Sequence, residues 1–115
     1  MKVIEINNKA YEIKFTINTL VKMEEDGIDV MHMENLMKNM NFALIRKLFY
    51  YGLINSVGKS LTVNKAGDMM DEYLKENNYR DLMTVLISEL AKSLGYDVDA
   101  KEQEEAGESD EEAGK

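Results

Sequence analysis

Lys2-Val-Ile-Glu-Ile-Asn-Asn-Lys-Ala-Tyr-Glu-Ile-Lys-Phe15 decides the fold class. Residues 2–6 and 10–15 both alternate. Val3 and Glu5 fall on one face, Ile4 and Ile6 on the other, and Tyr11, Ile13 and Phe15 then oppose Glu12 and Lys14. Alternation with period 2 sends successive side chains to opposite sides of an extended strand. Asn7-Asn8 lies between the two runs, and Asn tolerates the positive φ that a tight hairpin turn demands. The stretch reads as a two-stranded β-hairpin. Such a hairpin is marginal alone in water, so its apolar face has to lie on something else.

Beyond Phe15 the apolar residues take helical spacing. Thr16 is a candidate N-cap, with Ile17, Leu20, Val21 and Glu24 tracing one face, and Gly27 stops the helix. Asp29 can cap a second helix over about 30–40. Asn41 can cap a third over about 42–55, with Ile45, Leu48, Phe49 and Leu53 inward, and Gly58 breaks it. Thr62 opens a fourth, about 63–77, striped by Val63, Ala66, Met70, Tyr73 and Leu74. A fifth runs from about Arg80 to Leu94, carrying Leu82, Met83, Leu86, Ile87, Leu90 and Leu94, and stops at Gly95. The expected architecture is mainly α (α+β): a short N-terminal hairpin packed on a bundle of about five helices.

Charge divides the chain. Residues 97–115 hold nine acids and two bases, whereas residues 1–96 hold 13 acids and 12 bases, out of a net charge of −8. After Tyr96 the one large apolar side chain is Val98. A segment of that composition cannot offset its ordering entropy by burial. The expected organisation is one folded domain, 1–96, and a disordered acidic tail, 97–115. The chain has no cysteine, which removes disulfides and thiolate chemistry. No apolar run reaches the ~20 residues of a membrane span, and the N-terminus lacks the apolar stretch of a signal peptide. The negative charge argues against nucleic acid, and Arg46-Lys47 is the densest basic spot.

Catalytic and ligand motifs fail on inspection. Gly58-Lys59-Ser60 resembles the end of a phosphate loop, but the required first glycine falls at Leu53, and Gly52 is one position early. Asp97, Asp99 and Glu108 hint at a calcium loop, yet Glu102 occupies the glycine position and Lys101 a ligand position. His32 is the one histidine and has no visible partner for a triad or zinc site. Glu24-Glu25-Asp26 and the row Asp68, Glu72, Glu76 read as solvated faces, the first a docking patch for a basic partner if it is functional. No catalytic residue, cofactor or metal is expected.

Methionine is the informative residue. Four of nine, Met31, Met33, Met37 and Met40, fall within ten residues. Val30, Met33, Met37 and Met40 follow 3-4-3 spacing. An ordinary core face is one reading. An adaptable surface for a partner segment is the other, because Met side chains repack at low cost. Met31 and Leu36 widen the arc beyond what one helix of a small bundle buries. Of the adjacent Tyr50 and Tyr51, one is expected in the core and the other at an edge. The candidate partner-binding set is therefore Met31, Met33, Leu36, Met37, Met40, Tyr50 and Tyr51. Gly52, inside a helical pattern, suggests a close helix crossing.

The order of these pieces resembles the tail assembly chaperones of long-tailed (siphovirus-type) phages and prophages of Gram-positive bacteria. The resembling stretches are Ile4 to Phe15, Thr16 to Gly27, Leu48-Phe-Tyr-Tyr-Gly-Leu53, Leu61 to Leu74, and Ser93-Leu-Gly-Tyr96 before a charged tail. The departures are Asn8, where the turn more commonly reads Asn-Gly, and the methionine-rich 30–40 segment. The resemblance implies a non-enzymatic helper that binds the tape measure protein and keeps it soluble while tail-tube subunits polymerise around it. It further implies a longer frameshifted form that recruits the major tail tube protein, action in the host bacterial cytoplasm, and absence from the mature virion. Self-association stays open. Membranes and nucleic acids are not expected partners. The alternative from the residues alone is a small acidic adaptor or inhibitor acting through carboxylate-rich surfaces.

Overall fold

The structure, a computed structural model, describes residues 2–96. The acidic tail and the calcium-loop positions expected in 97–115 lie outside the described residues. The element order is β1 (Lys2–Ile6), β2 (Lys9–Ile13), α1 (Ile17–Glu25), α2 (Met33–Lys38), α3 (Phe42–Val57), α4 (Val63–Tyr73) and α5 (Tyr79–Ser93). The expected hairpin-plus-helices architecture is what forms.

β1 and β2 pair antiparallel with Ile4 opposite Tyr11 and Ile6 opposite Lys9. Asn7 and Asn8 have φ of 55° and 64°, the two consecutive positive values of a tight hairpin turn. Ile4, Ile6, Ile13 and Phe15 are buried and Val3 is exposed, so the alternation assigns the faces correctly. β2 ends at Ile13, short of Phe15, because the Lys14 N–H leaves the ladder and donates to the Gly52 carbonyl of α3 at 2.9 Å.

α3 is the central element. Ile45, Leu48, Phe49, Gly52 and Leu53 are buried along it, and it packs against β2, α4 and α5. Asn41, Thr62 and Asn78 cap α3, α4 and α5, each through its side-chain oxygen to the N–H three residues on. α4 stops at Tyr73, before the expected 77. The Asn77 side-chain amide donates to the Tyr73 carbonyl at 3.1 Å and closes the helix end just ahead of the next cap.

The inward face of α1 corrects the sequence reading. Ile17 is 70% exposed and Val21 45%, while Thr19, Leu20 and Met23 are buried. Two contacts set this rotation. At the start, the Thr19 hydroxyl meets that of Thr16 at 2.8 Å and accepts from the Asn55 amide of α3 at 3.1 Å. At the end, Gly27 at φ 85° closes a Schellman motif: Ile28 N–H donates to Met23 O, and Gly27 N–H to Glu24 O. That motif folds Ile28 back onto the Met23 turn, and both side chains are buried.

Gly52 is also reassigned. Its close neighbour is the hairpin rather than another helix: a Cβ there would stand 3.1 Å from Ile13 Cγ2 and 3.2 Å from Phe15 Cζ.

Candidate partner-binding groove

α2 is shorter than expected, and Asp29 is not its cap. Ile28 and Val30 are both buried, and a tight turn, with Val30 N–H donating to Ile28 O at 3.0 Å, keeps residues 28–32 out of the helix. His32 stands at the N-cap position without a side-chain cap bond. Asp29 instead braces the turn: its carboxylate accepts from His32 Nδ1 at 2.9 Å and from the Asn35 amide at 3.1 Å. Those two hydrogen bonds, His32 first, hold the Asp29 carboxyl below its ordinary value.

One member of the expected methionine stripe, Met37, turns outward. Leu36 is 2% exposed and points into the core, with Met33 and Met40 half-buried beside it. Of the expected line 30–33–37–40, Val30 is buried and Met33 and Met40 pack on the core, but Leu36 takes the inward place expected of Met37. Met37, at 52%, and Met31, at 65%, face outward. Leu36 is therefore corrected from a partner-facing residue to a core residue.

Met31 and Met33 line an open groove of about 760 Å³ between the start of α2 and the end of α5. Ala91 and Tyr96 form its other apolar wall, and Asp29, His32, Glu34, Asn35 and Lys38 form its rim. A second Schellman motif places Tyr96. Gly95 has φ 93°, its N–H donates to Lys92 O, and Tyr96 N–H donates to Ala91 O. The chain is thereby turned back over α5, leaving the Tyr96 ring 52% exposed. Two methionines and a tyrosine beside a small alanine, with a polar rim, are suited to a helix laid into a groove. They offer no nucleophile paired with a base.

Tyr50 and Tyr51 do not line this groove. Both are half-buried, stacked edge-on at 4.9 Å, so the expected division into core and edge is not made. The Tyr51 hydroxyl donates to Asp26 at 3.0 Å, and Lys47 pairs with the same carboxylate at 3.2 Å. Burial first, then the hydrogen bond to Asp26 and its charge, push the Tyr51 phenol up to about 12. Asp26 thus ties α1 to α3 and is no free docking patch. Glu72 of the second acidic row pairs with Lys75, which holds its carboxyl below the ordinary value. Gly58-Lys59-Ser60 forms the turn between α3 and α4, where Leu61 N–H donates to Gly58 O.

Sequence reasoning missed three features. Phe42, 72% exposed, meets Tyr79 edge-on at 5.3 Å beside a second groove between α3 and α4. Arg46 reaches into that groove with a buried Nε that has no hydrogen-bond partner. Glu89 is buried on α5 and pairs with Lys92 at 3.5 Å. Among the described residues no helix is long and apolar enough to cross a membrane. Comparison with family models, with curated proteins and with solved structures finds no match for this chain.

Proposed function

We propose that this chain is a phage tail assembly chaperone that binds the tape measure protein and keeps it soluble during tail morphogenesis. The observation that carries this reading is the pliable apolar surface at α2: Met31 and Met37 outward, and Met31, Met33 and Tyr96 around one open groove. An amphipathic helix awaiting assembly needs a surface of that kind, and Met supplies it without a fixed shape. The order in which the resembling sequence stretches follow one another from Ile4 to Tyr96 is its second support. In this reading a longer frameshifted form recruits tail-tube subunits, and the protein acts in the host cytoplasm and leaves before the virion is complete.

The test is co-expression with the tape measure protein of the same phage. The tape measure chain should move to the soluble fraction and co-purify with this one. The double variant Met31→Glu/Met37→Glu should keep its fold, since both side chains are exposed, and lose the complex. Tape measure solubility that ignores this chain would refute the proposal.

A further inference from the structure

We propose that the free edge of β1 takes an extended polypeptide segment as a third, antiparallel strand, one that carries Lys or Arg opposite Glu5 and an apolar residue opposite Ile4. The inference goes beyond the helix-binding surface at α2 and concerns a groove lined by none of the same residues.

The two edges of the hairpin differ. On β2 the Glu12 N–H donates to Ser56 Oγ at 3.3 Å and the Lys14 N–H to Gly52 O at 2.9 Å, so α3 covers that side. Both bonds point away from β1, which marks Glu12 as a residue whose backbone groups stand outside the β1–β2 ladder. In an antiparallel pair the residue directly opposite shares that condition. Glu12 stands opposite Val3. The N–H and C=O of Val3 therefore point out from the free side of β1, and those of Glu5, two residues on, do the same. The sheet ends there, with β1 and β2 its two strands.

Sheet edges are ordinarily closed to other chains by proline, a bulge or a covering element. β1 reads Lys-Val-Ile-Glu-Ile, without proline, and its register with β2 runs unbroken from Lys2 to Ile6, without a bulge. In place of a cover there is open space. A groove of about 390 Å³ follows Lys2, Val3, Ile4 and Glu5, with Tyr73, Glu76, Asn77 and Val85 across from them.

These surroundings define what fits. A strand residue opposite Ile4 has its side chain on the Ile4 face, toward Tyr73 and Val85, where an apolar group is suited. Residues opposite Val3 and Glu5 stand on the outer face, where Val3 is 56% exposed. Glu5 and Glu12 lie on that face and Glu76 on the groove wall. Lys2, the one base lining the groove, is three residues from Glu5, about 10 Å along the strand. A basic side chain opposite Glu5 is thus favoured and an acidic one repelled. A second copy fits less well: two five-residue strands offer little of the ~1,000 Å² that a stable interface buries, and each chain brings a net charge of −8.

The experiment uses the full chain and a capped fluorescent peptide, Thr-Lys-Leu-Val-Thr, designed to set Lys opposite Glu5, Leu opposite Ile4 and Val opposite Val3. Binding is read by anisotropy. Glu in place of the peptide Lys should weaken binding several-fold, and Glu5→Lys in the protein should reverse the preference. N-methylation of the peptide's Lys and Val amides, which face β1, should weaken binding about tenfold or more. N-methylation of the Leu amide, which faces away, should leave it near the parent value. Val3→Pro removes an N–H that the ladder does not use, so it should keep the parent circular dichroism and lose the peptide. Binding that ignores which amide is methylated, or no binding at millimolar peptide, overturns the proposal whether or not Val3→Pro folds. Peptide lost by Met31→Glu/Met37→Glu and kept by Val3→Pro would place it on α2, which also overturns it. So does a dimer abolished by Val3→Pro, since the occupant is then a second copy. Tape measure solubilisation that persists in those cases leaves the chaperone reading standing, so the two can fail separately.

Discussion

Two helical glycines sit against side chains at nearly the same distance and should respond to alanine in opposite ways. A Cβ at Gly52 meets Ile13 and Phe15, which are 0% and 5% exposed and have nowhere to move. A Cβ at Gly67 meets Arg46 Cδ at 3.0 Å, part of a long flexible side chain bordering an open groove. Alanine gains about 1 kcal/mol of helix propensity at either site, whereas overpacking a closed core costs about 1–3 kcal/mol. Gly52→Ala should therefore lower stability by up to about 2 kcal/mol and Gly67→Ala raise it by up to about 1 kcal/mol, both read from urea midpoints. A stabilised Gly52→Ala would show that the hairpin yields. Tyr51 gives a second residue-scale expectation. Its folded pKa of about 12 lies above its ordinary 10.0, so the neutral phenol is the form the fold favours. That contribution is complete below pH 10 and is lost as pH rises toward 12. The stability gap between the parent and Tyr51→Phe should be constant up to pH 10 and shrink above it; a gap that stays flat to pH 12 contradicts the assignment.

At the scale of elements, α2 separates core from surface within two adjacent residues. Leu36→Ala should cost about 2–5 kcal/mol, as for a sealed core leucine. Met37→Ala should stay within about 0.5 kcal/mol of the parent. Comparable losses at both positions would mean that α2 is turned differently. This element is also where reading from sequence fell short. Hairpin faces, three helix caps and the α5 stripe were legible because each rests on local signals: alternation, an Asx or Thr cap, a repeated Leu. The α1 and α2 rotations were not, because tertiary contacts set them. Ile17 and Val21 looked inward by spacing, yet Asn55 of a distant helix fixes Thr19 inside. The glycines did hold a readable clue to both. Gly27 and Gly95 announced helix ends, and the residue after such a glycine packs back on the preceding turn. That rule places Ile28 in the core and brings Tyr96 to the groove. Exposure of Met31 and Met37 followed only once Leu36 was known to hold the core contact.

Across the whole molecule, stability is concentrated on α3, which touches the hairpin, α4 and α5, while α2 is six residues long and fully buries Leu36 alone. An isolated helix of that length is far below the ~12–15 residues needed for persistence in water, so α2 depends on that anchor and on the Asp29 brace. Local opening should therefore be cheapest where the groove is built. Native-state hydrogen exchange should find the buried middle of α3 protected up to the global unfolding free energy, and the α2 amides released through a smaller opening. On the function proposed above, a wall that opens easily would let the surface shape itself around different helices, at some cost in affinity for each. On the same proposed function, adding a tape measure helix should slow exchange in α2 by a larger factor than in α3, because binding pins the element that was free to open. If α2 and α3 exchange together, with and without the helix, the groove is as rigid as the core and an adaptable binding surface has no physical basis in this fold.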